Sequence, residues 1–247
     1  MPPTLILVRH AQALHNVENN LHDPELTELG RKQCTELKEN LMPRISRDLD
    51  VGLILVSPMK RTIETALLAF GELVQRGIPI VAHAGWQENS SQPCDTGNPL
   101  SSLSPLFPQV DFSRVDPIFP DKTSPAAALY HYTRRAVLAR GQAVLRELRG
   151  RPEKAVIVVS HSSFLRTGVT GHYFMNADYR IFDFVEAADG DGQDGVVVRL
   201  RQWEETSRGG MGWSWEMAVP LGDGLPDEED NKHGDVMQTT NAEAIWN

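Results

Sequence analysis

Short unbroken runs of aliphatic residues alternate along this chain with longer stretches in which apolar residues recur every third or fourth position. Leu5-Ile6-Leu7-Val8, Leu53-Ile54-Leu55-Val56 and Ala155-Val156-Ile157-Val158-Val159 are apolar at every position. That pattern belongs to strands buried on both faces of a parallel sheet. Ile78-Pro79-Ile80-Val81 is a weaker strand, since Pro79 cannot donate to a ladder. The stretches between these runs predict helices. Thr27 is placed to N-cap one whose face carries Leu29, Cys34, Leu37 and Leu41 and which Pro43 ends. Ser57-Pro58 looks like a cap and early-turn proline, opening a helix through Ala66, Leu67 and Phe70. Ser124-Pro125 repeats that signature before a long helix with Leu129, Val137, Val144, Leu145 and Leu148, stopped by Gly150 and Pro152. A further helix starts at Ser162 or Ser163 and runs to about Gly171.

Strands alternating with helices imply βαβ units. The expected fold is α/β: a three-layer sandwich, its central sheet mostly parallel, with helices on both faces and an antiparallel edge strand. Residues 181–185 and 196–203 read as two late strands, with a turn over the Asp- and Gly-rich residues 189–194. One domain is expected over residues 1–221. Within it, residues 88–124 are rich in Ser, Pro, Asp and Asn and have little periodicity, which marks a lid-like insertion. Residues 222–247 are acidic and polar and read as a poorly ordered tail.

Composition narrows the function classes. The 247 residues are 40% hydrophobic, enough to bury the core of one large α/β domain. A formal net charge of −9 disfavours nucleic acid and anionic membranes as partners. The two cysteines, Cys34 and Cys94, do not make a disulfide framework. The run at residues 5–8 is too short for a signal peptide, and no stretch approaches a transmembrane helix. A cytoplasmic protein is expected. Oligomeric state is not legible in the chain.

Three of the strands end alike. Residues 5–8 run into Arg9-His10, residues 53–56 into Ser57-Pro58-Met59-Lys60-Arg61, and residues 155–159 into Ser160-His161. In an open parallel sheet the carboxyl ends of the strands share one edge, and ligands bind there. Arg9, His10, Arg61 and His161 are thereby expected around one point, a local positive well on an acidic protein. Helix amino termini after Ser57 and Ser160 would add N–H donors. Bidentate arginine matches phosphoryl oxygens, so a phosphoryl group is the natural occupant. His10 and His15 lack the spacing of a zinc helix, and Gly-x-Ser-x-Gly and P-loop patterns are absent. The remaining histidines read as structural, and Cys34 as core.

Arg9-His10-Ala11 followed by Asn16, the block at residues 26–33 (Leu-Thr-Glu-Leu-Gly-Arg-Lys-Gln), Ser57-Pro58-Met59-Lys60-Arg61-Thr62 and Ser160-His161-Ser162-Ser163-Phe164-Leu165 together resemble, in order, the conserved blocks of the histidine phosphatase superfamily, the phosphoglycerate-mutase-like proteins. The resemblance implies that His10 attacks phosphorus and becomes a phosphohistidine. It implies that Arg9, Arg61 and His161 surround the phosphoryl oxygens. It also implies a carboxylic acid that protonates the leaving oxygen, with Glu88 the candidate and Asp95 the runner-up. Asn16 would help fix a phosphate oxygen or the loop after His10, and Ser162 would donate its backbone N–H. Ala11 and the Ser162-Ser163 pair depart from the family's usual glycines, which bears on leaving-group preference. No cofactor or metal is implied, because the arginines supply the positive charge. The substrate expected is a small phosphorylated molecule, with Trp86, Phe107 and Phe112 near the insertion. Phosphomonoester hydrolysis leads. A mutase returning the phosphoryl group to its substrate is the alternative, followed by a non-catalytic protein binding a phosphorylated ligand.

Overall fold

The computed structural model of the chain describes residues 1–17, 21–185 and 197–228. Its elements in chain order are β1 (Thr4–Arg9), α1 (Glu28–Asp48), β2 (Val51–Val56), α2 (Lys60–Gln75), β3 (Ile80–Ala82), α3 (Leu100–Leu103), α4 (Arg134–Arg149), β4 (Ala155–Ser160), α5 (Ser162–Phe164, continued by a π-helical turn Leu165–Thr170), β5 (Tyr179–Phe184) and β6 (Leu200–Gln202). The strands form one six-stranded sheet in the order β3-β2-β4-β1-β5-β6. The first four are mutually parallel, and β5 runs antiparallel to both β1 and β6. The antiparallel strand therefore lies one place in from the edge that β6 forms.

The unbroken apolar runs follow from burial on both sides. Ile6, Val8, Ile54, Val56, Ile157 and Val159 pack with Cys34, Leu37 and Leu41 of α1 and Ile63, Ala66 and Phe70 of α2. Leu5, Leu7, Leu53, Leu55, Val156 and Val158 pack on the opposite face with Val137, Val144 and Leu148 of α4 and Phe164 and Leu165 after β4. Side chains alternate between faces, so a strand covered twice is apolar at every position.

Several helix boundaries differ from the sequence pattern. Thr27 caps α1 by accepting from the Gly30 N–H at 3.0 Å. The helix then runs through Pro43 to Asp48, because Met42 and Ile45 bury against the core and outweigh the one lost backbone donor. Leu29 is half exposed, and Gly30 takes the inward position; a Cβ there would lie 2.0 Å from the Gln12 carbonyl oxygen, so only glycine lets α1 approach the loop after β1. The helix expected at Ser57-Pro58 begins two residues later, at Lys60. Ser124-Pro125 opens only a short 3-10 segment, Pro125–Tyr130, and α4 has its own cap, Thr133. In the late strands β6 is shorter than expected, and the turn at 189–194 falls outside the described residues. The insertion at 88–124 is packed despite its polarity: Leu103, Val110, Val115 and Phe119 are buried in the main core. Residues 222–228 lie on α4, with Leu225 buried and the Arg134 guanidinium donating to the Gly222 and Leu225 carbonyls; residues 229–247 fall outside the described residues. Among the described residues no helix is long and apolar enough to cross a membrane.

Candidate active site

Parallel register carries the ends of β1, β2 and β4 to one edge: Arg9 lies opposite Ser160, and Val56 opposite Val159. The next residues, His10, Ser57 and His161, line that edge. His10 is 2% exposed. Its backbone is fixed on both sides, N–H to the Ser160 carbonyl at 3.0 Å and carbonyl to the Asn176 side-chain amide at 3.1 Å. Nδ1 lies 2.7 Å from the Ala11 carbonyl oxygen, which can only accept, so Nδ1 carries the proton. Nε2 is then the lone-pair nitrogen, and it accepts from the Arg61 Nε–H at 3.2 Å. Burial, followed by the nearby positive charge of Arg61, holds His10 well below the usual histidine range and hence neutral.

Arg61, in the first turn of α2, is fully buried. Besides His10 it donates to the Cys94 carbonyl at 2.6 Å and to the Asp95 carboxylate at 3.3 Å. Ser90 donates to the other oxygen of Asp95 at 2.6 Å. The ring of His161 stands 5.2 Å from that of His10, edge to face, and its Nε2 is 2.9 Å from the Ser57 hydroxyl. Burial and then Arg61 hold His161 well below its usual range as well. Arg9, half-buried at the end of β1, donates to the Phe174 carbonyl at 2.9 Å.

Glu88 is buried, and its carboxylate sits on the amino end of α5. One oxygen accepts from the Asn89 and Phe164 N–H groups, both at 2.9 Å, and the other from Ser163 at 3.1 Å. Burial raises its pKa, and the charge on Asp95 adds to the rise; the N–H groups and Arg61 oppose it. A carboxyl in that environment retains its proton to higher pH than an exposed one. Asn16 accepts from the Ala13 N–H at 3.0 Å and braces the turn after His10, while Ser162, half-buried, opens α5 beside His161. Trp86 does not face this edge. It is buried edge-on to Phe164 at 5.8 Å in the core, and Phe107 and Phe112 pack against the main core, so these aromatics act as packing groups.

Four neighbours were not legible in the sequence. His15 comes within 5.6 Å of His10, ring to ring, and burial with Arg61 and Arg9 pushes it down to about 2. Ser57 is the partner of His161 rather than a helix cap. Asp23, fully buried with a left-handed φ of 40°, accepts from the Lys60 N–H at 3.0 Å and so supplies in space the cap that Met59 cannot; its other oxygen accepts from Asn98. Lys122 bonds to the loop behind Glu88. None of these carries a local signal, apart from the three-residue proximity of Asn16 and Ala13 that places His15 in a tight turn. Among the described residues no group of three or more His, Cys, Asp or Glu is arranged to hold a metal ion.

A family model described as the histidine phosphatase superfamily (branch 1) matches residues 5–182. A probable phosphatase of Schizosaccharomyces pombe is 31% identical over 170 residues, covering 66% of this chain and 76% of that protein. A phosphoglycerate mutase-like protein of Arabidopsis thaliana is 33% identical over 203 residues, covering 66% of this chain and 72% of that one. Among solved structures, a mycobacterial glucosyl-3-phosphoglycerate phosphatase complexed with VO3 has a TM-score of 0.48 at 20% identity, over 81% of this chain and 97% of that chain.

Proposed function

Because this chain belongs to the histidine phosphatase superfamily, branch 1, we propose that it hydrolyses a small-molecule phosphomonoester through a phosphohistidine formed on His10. It is a phosphoric-ester hydrolase, and the phosphatase relative agrees with that. The route through His10 is carried by one observation: the Nδ1–H of His10 is committed to the Ala11 carbonyl, which leaves the Nε2 lone pair as the ring's reactive site in a group held neutral.

In this reading the phosphoryl group takes the place of the protein's own acceptors around Arg61. Nε2 forms a bond to phosphorus as the bond to the leaving oxygen breaks. Arg61, Arg9 and His161 face the three equatorial oxygens, on which the charge spreads. Each such donor is commonly worth ~3–4 kcal/mol when removed. Glu88, protonated, gives its proton to the leaving oxygen, and its carboxylate then takes one from the water that cleaves the phosphorus–nitrogen bond. Asn16 holds the turn after His10, and the Ser162 N–H donates to a phosphoryl oxygen. Asp95 holds Arg61 until the substrate arrives.

The test follows phosphate release over a panel of phosphorylated metabolites, wild type against His10→Ala. Loss of a covalent nucleophile predicts a fall of ~100-fold or more and the disappearance of acid-labile, protein-bound phosphate. Equal release by both proteins would overturn the route through His10. Isomerisation of a phosphoglycerate without net release would favour the mutase over the phosphatase.

A further inference from the structure

Lys122 closes the long insertion, yet its side chain is buried, with 4% exposed. Its Nζ donates to three backbone carbonyls, those of Glu88 at 2.8 Å, Ser90 at 2.8 Å and Asp95 at 2.5 Å. An ammonium has three N–H donors and no acceptor, so this cage is satisfied by the charged form alone. Burial draws Lys122 down to about 7, and the charges on Asp95 and Glu88 oppose that. Placing a charge there is costly, and an apolar side chain of the same length would fill the space without the cost.

The three carbonyls belong to one loop. It begins at Glu88, whose carboxylate rests on the amino end of α5, and ends at Asp95, whose carboxylate holds Arg61. Between them lies only the single 3-10 turn Pro93–Asp95, so no ladder or helix sets the loop's path. Its other side is fixed through Asn89, which accepts from buried Arg140 at 2.7 Å and donates to Ser163 and Thr167 at 2.9 and 3.1 Å. Lys122 thus ties the ends of the loop to one atom.

We propose that Lys122 is a positioning residue for phosphoryl transfer, its ammonium gathering the backbone of residues 88, 90 and 95 so that the Glu88 carboxyl stands at the leaving oxygen. The inference rests on Glu88 being the general acid. Loosening the clamp then weakens protonation of the leaving group more than attack by His10, since the backbones of His10 and Arg61 are set by the end of β1 and the first turn of α2 rather than by this loop. A misplacement of ~1 Å is enough to cost ~100-fold.

The experiment compares kcat/KM for an alkyl phosphate, whose leaving oxygen needs a proton, with 4-nitrophenyl phosphate, whose leaving oxygen does not. The proteins are wild type, Glu88→Gln, Lys122→Met and Lys122→Arg, each with its melting temperature. Glu88→Gln is expected to lose ~100-fold or more on the alkyl ester and far less on the nitrophenyl ester. Lys122→Met is expected to lose ~10- to 100-fold on the alkyl ester and less than about 3-fold on the other. Lys122→Arg keeps the charge but cannot meet three carbonyls from one nitrogen, so its loss is smaller with the same selectivity; it carries the test if Lys122→Met does not fold. Should Glu88→Gln be selective while the folded lysine variants lower both esters equally, or neither, the role of Lys122 is overturned and that of Glu88 stands. Should Glu88→Gln show no selectivity, the acid lies elsewhere and the role of Lys122 falls with it.

Discussion

Acidification from about pH 8 to about pH 5.5 is expected to destabilise this fold through His10 and His161. Both rings are at most 2% exposed, and burial, then the field of Arg61, holds each well below its ordinary pKa. In the unfolded chain each titrates near 6.5. A histidine with a depressed folded pKa binds fewer protons folded than unfolded, so stability falls as the pH drops below the unfolded value. One unit below it, about ten unfolded molecules carry the proton for each that does not, which is worth ~1.4 kcal/mol per ring and ~3 kcal/mol for the pair. Against a typical total of ~5–15 kcal/mol that is a measurable share. His15 adds in the same direction, while Glu88 and Glu64, whose pKa values burial raises, act in the opposite one. The two rings are isolated by substitution. Urea unfolding of wild type, His10→Asn and His161→Asn at both pH values, in buffers free of phosphate and sulfate, is expected to show each variant losing ~1.4 kcal/mol less than wild type on acidification. If either variant shows the wild-type pH dependence, that ring titrates in the folded protein; for His10, the argument for a neutral nucleophile then fails.

Three further outcomes follow. Asp95→Asn removes the charge that helps raise Glu88, so the alkaline limb of the kcat–pH profile is expected to move to lower pH; an unmoved limb would detach Asp95 from the acid. Phosphate, sulfate or vanadate is expected to raise the melting temperature, by the equivalent of ~2.7 kcal/mol at a hundred times Kd. Arg61→Met is expected to abolish that rise, and a rise of equal size in both proteins would place the anion elsewhere. Gly141→Ala would bring a Cβ within 1.8 Å of the Gly168 carbonyl oxygen, where α4 crosses the turn after α5, and is expected to cost ~1–3 kcal/mol in chemical denaturation; an unchanged midpoint would mean that the crossing relaxes freely.

Of the fold, β1, β2, β4 and the alternation of layers can be read from the chain by itself. Runs such as Leu5-Ile6-Leu7-Val8 are explained only by burial on both faces, and that is a property of consecutive residues. The charged residues that follow three of these strands are legible for a related reason, since parallel register carries whatever follows each strand to the same edge. Helix ends are less legible. Pro43, Ser57-Pro58 and Ser124-Pro125 are local stop or start signals worth a few kcal/mol at most; the burial of Met42 and Ile45 overrides the first, and α4 starts from its own cap at Thr133 rather than from Ser124.

Only the tertiary structure decided how the loops close around that edge. Glu88 carries no local signal beyond the family resemblance; its seat on α5, more than seventy positions away, and the burial and Asp95 charge that raise its pKa all come from packing. Asp23 caps α2 across 37 positions, and Lys122 gathers carbonyls 27 to 34 positions before it. Local sequence encodes backbone preference and the side on which a residue is buried. Which distant donor meets which acceptor is settled when the core packs and desolvates them together, because a buried polar group without a partner costs more than any local preference supplies.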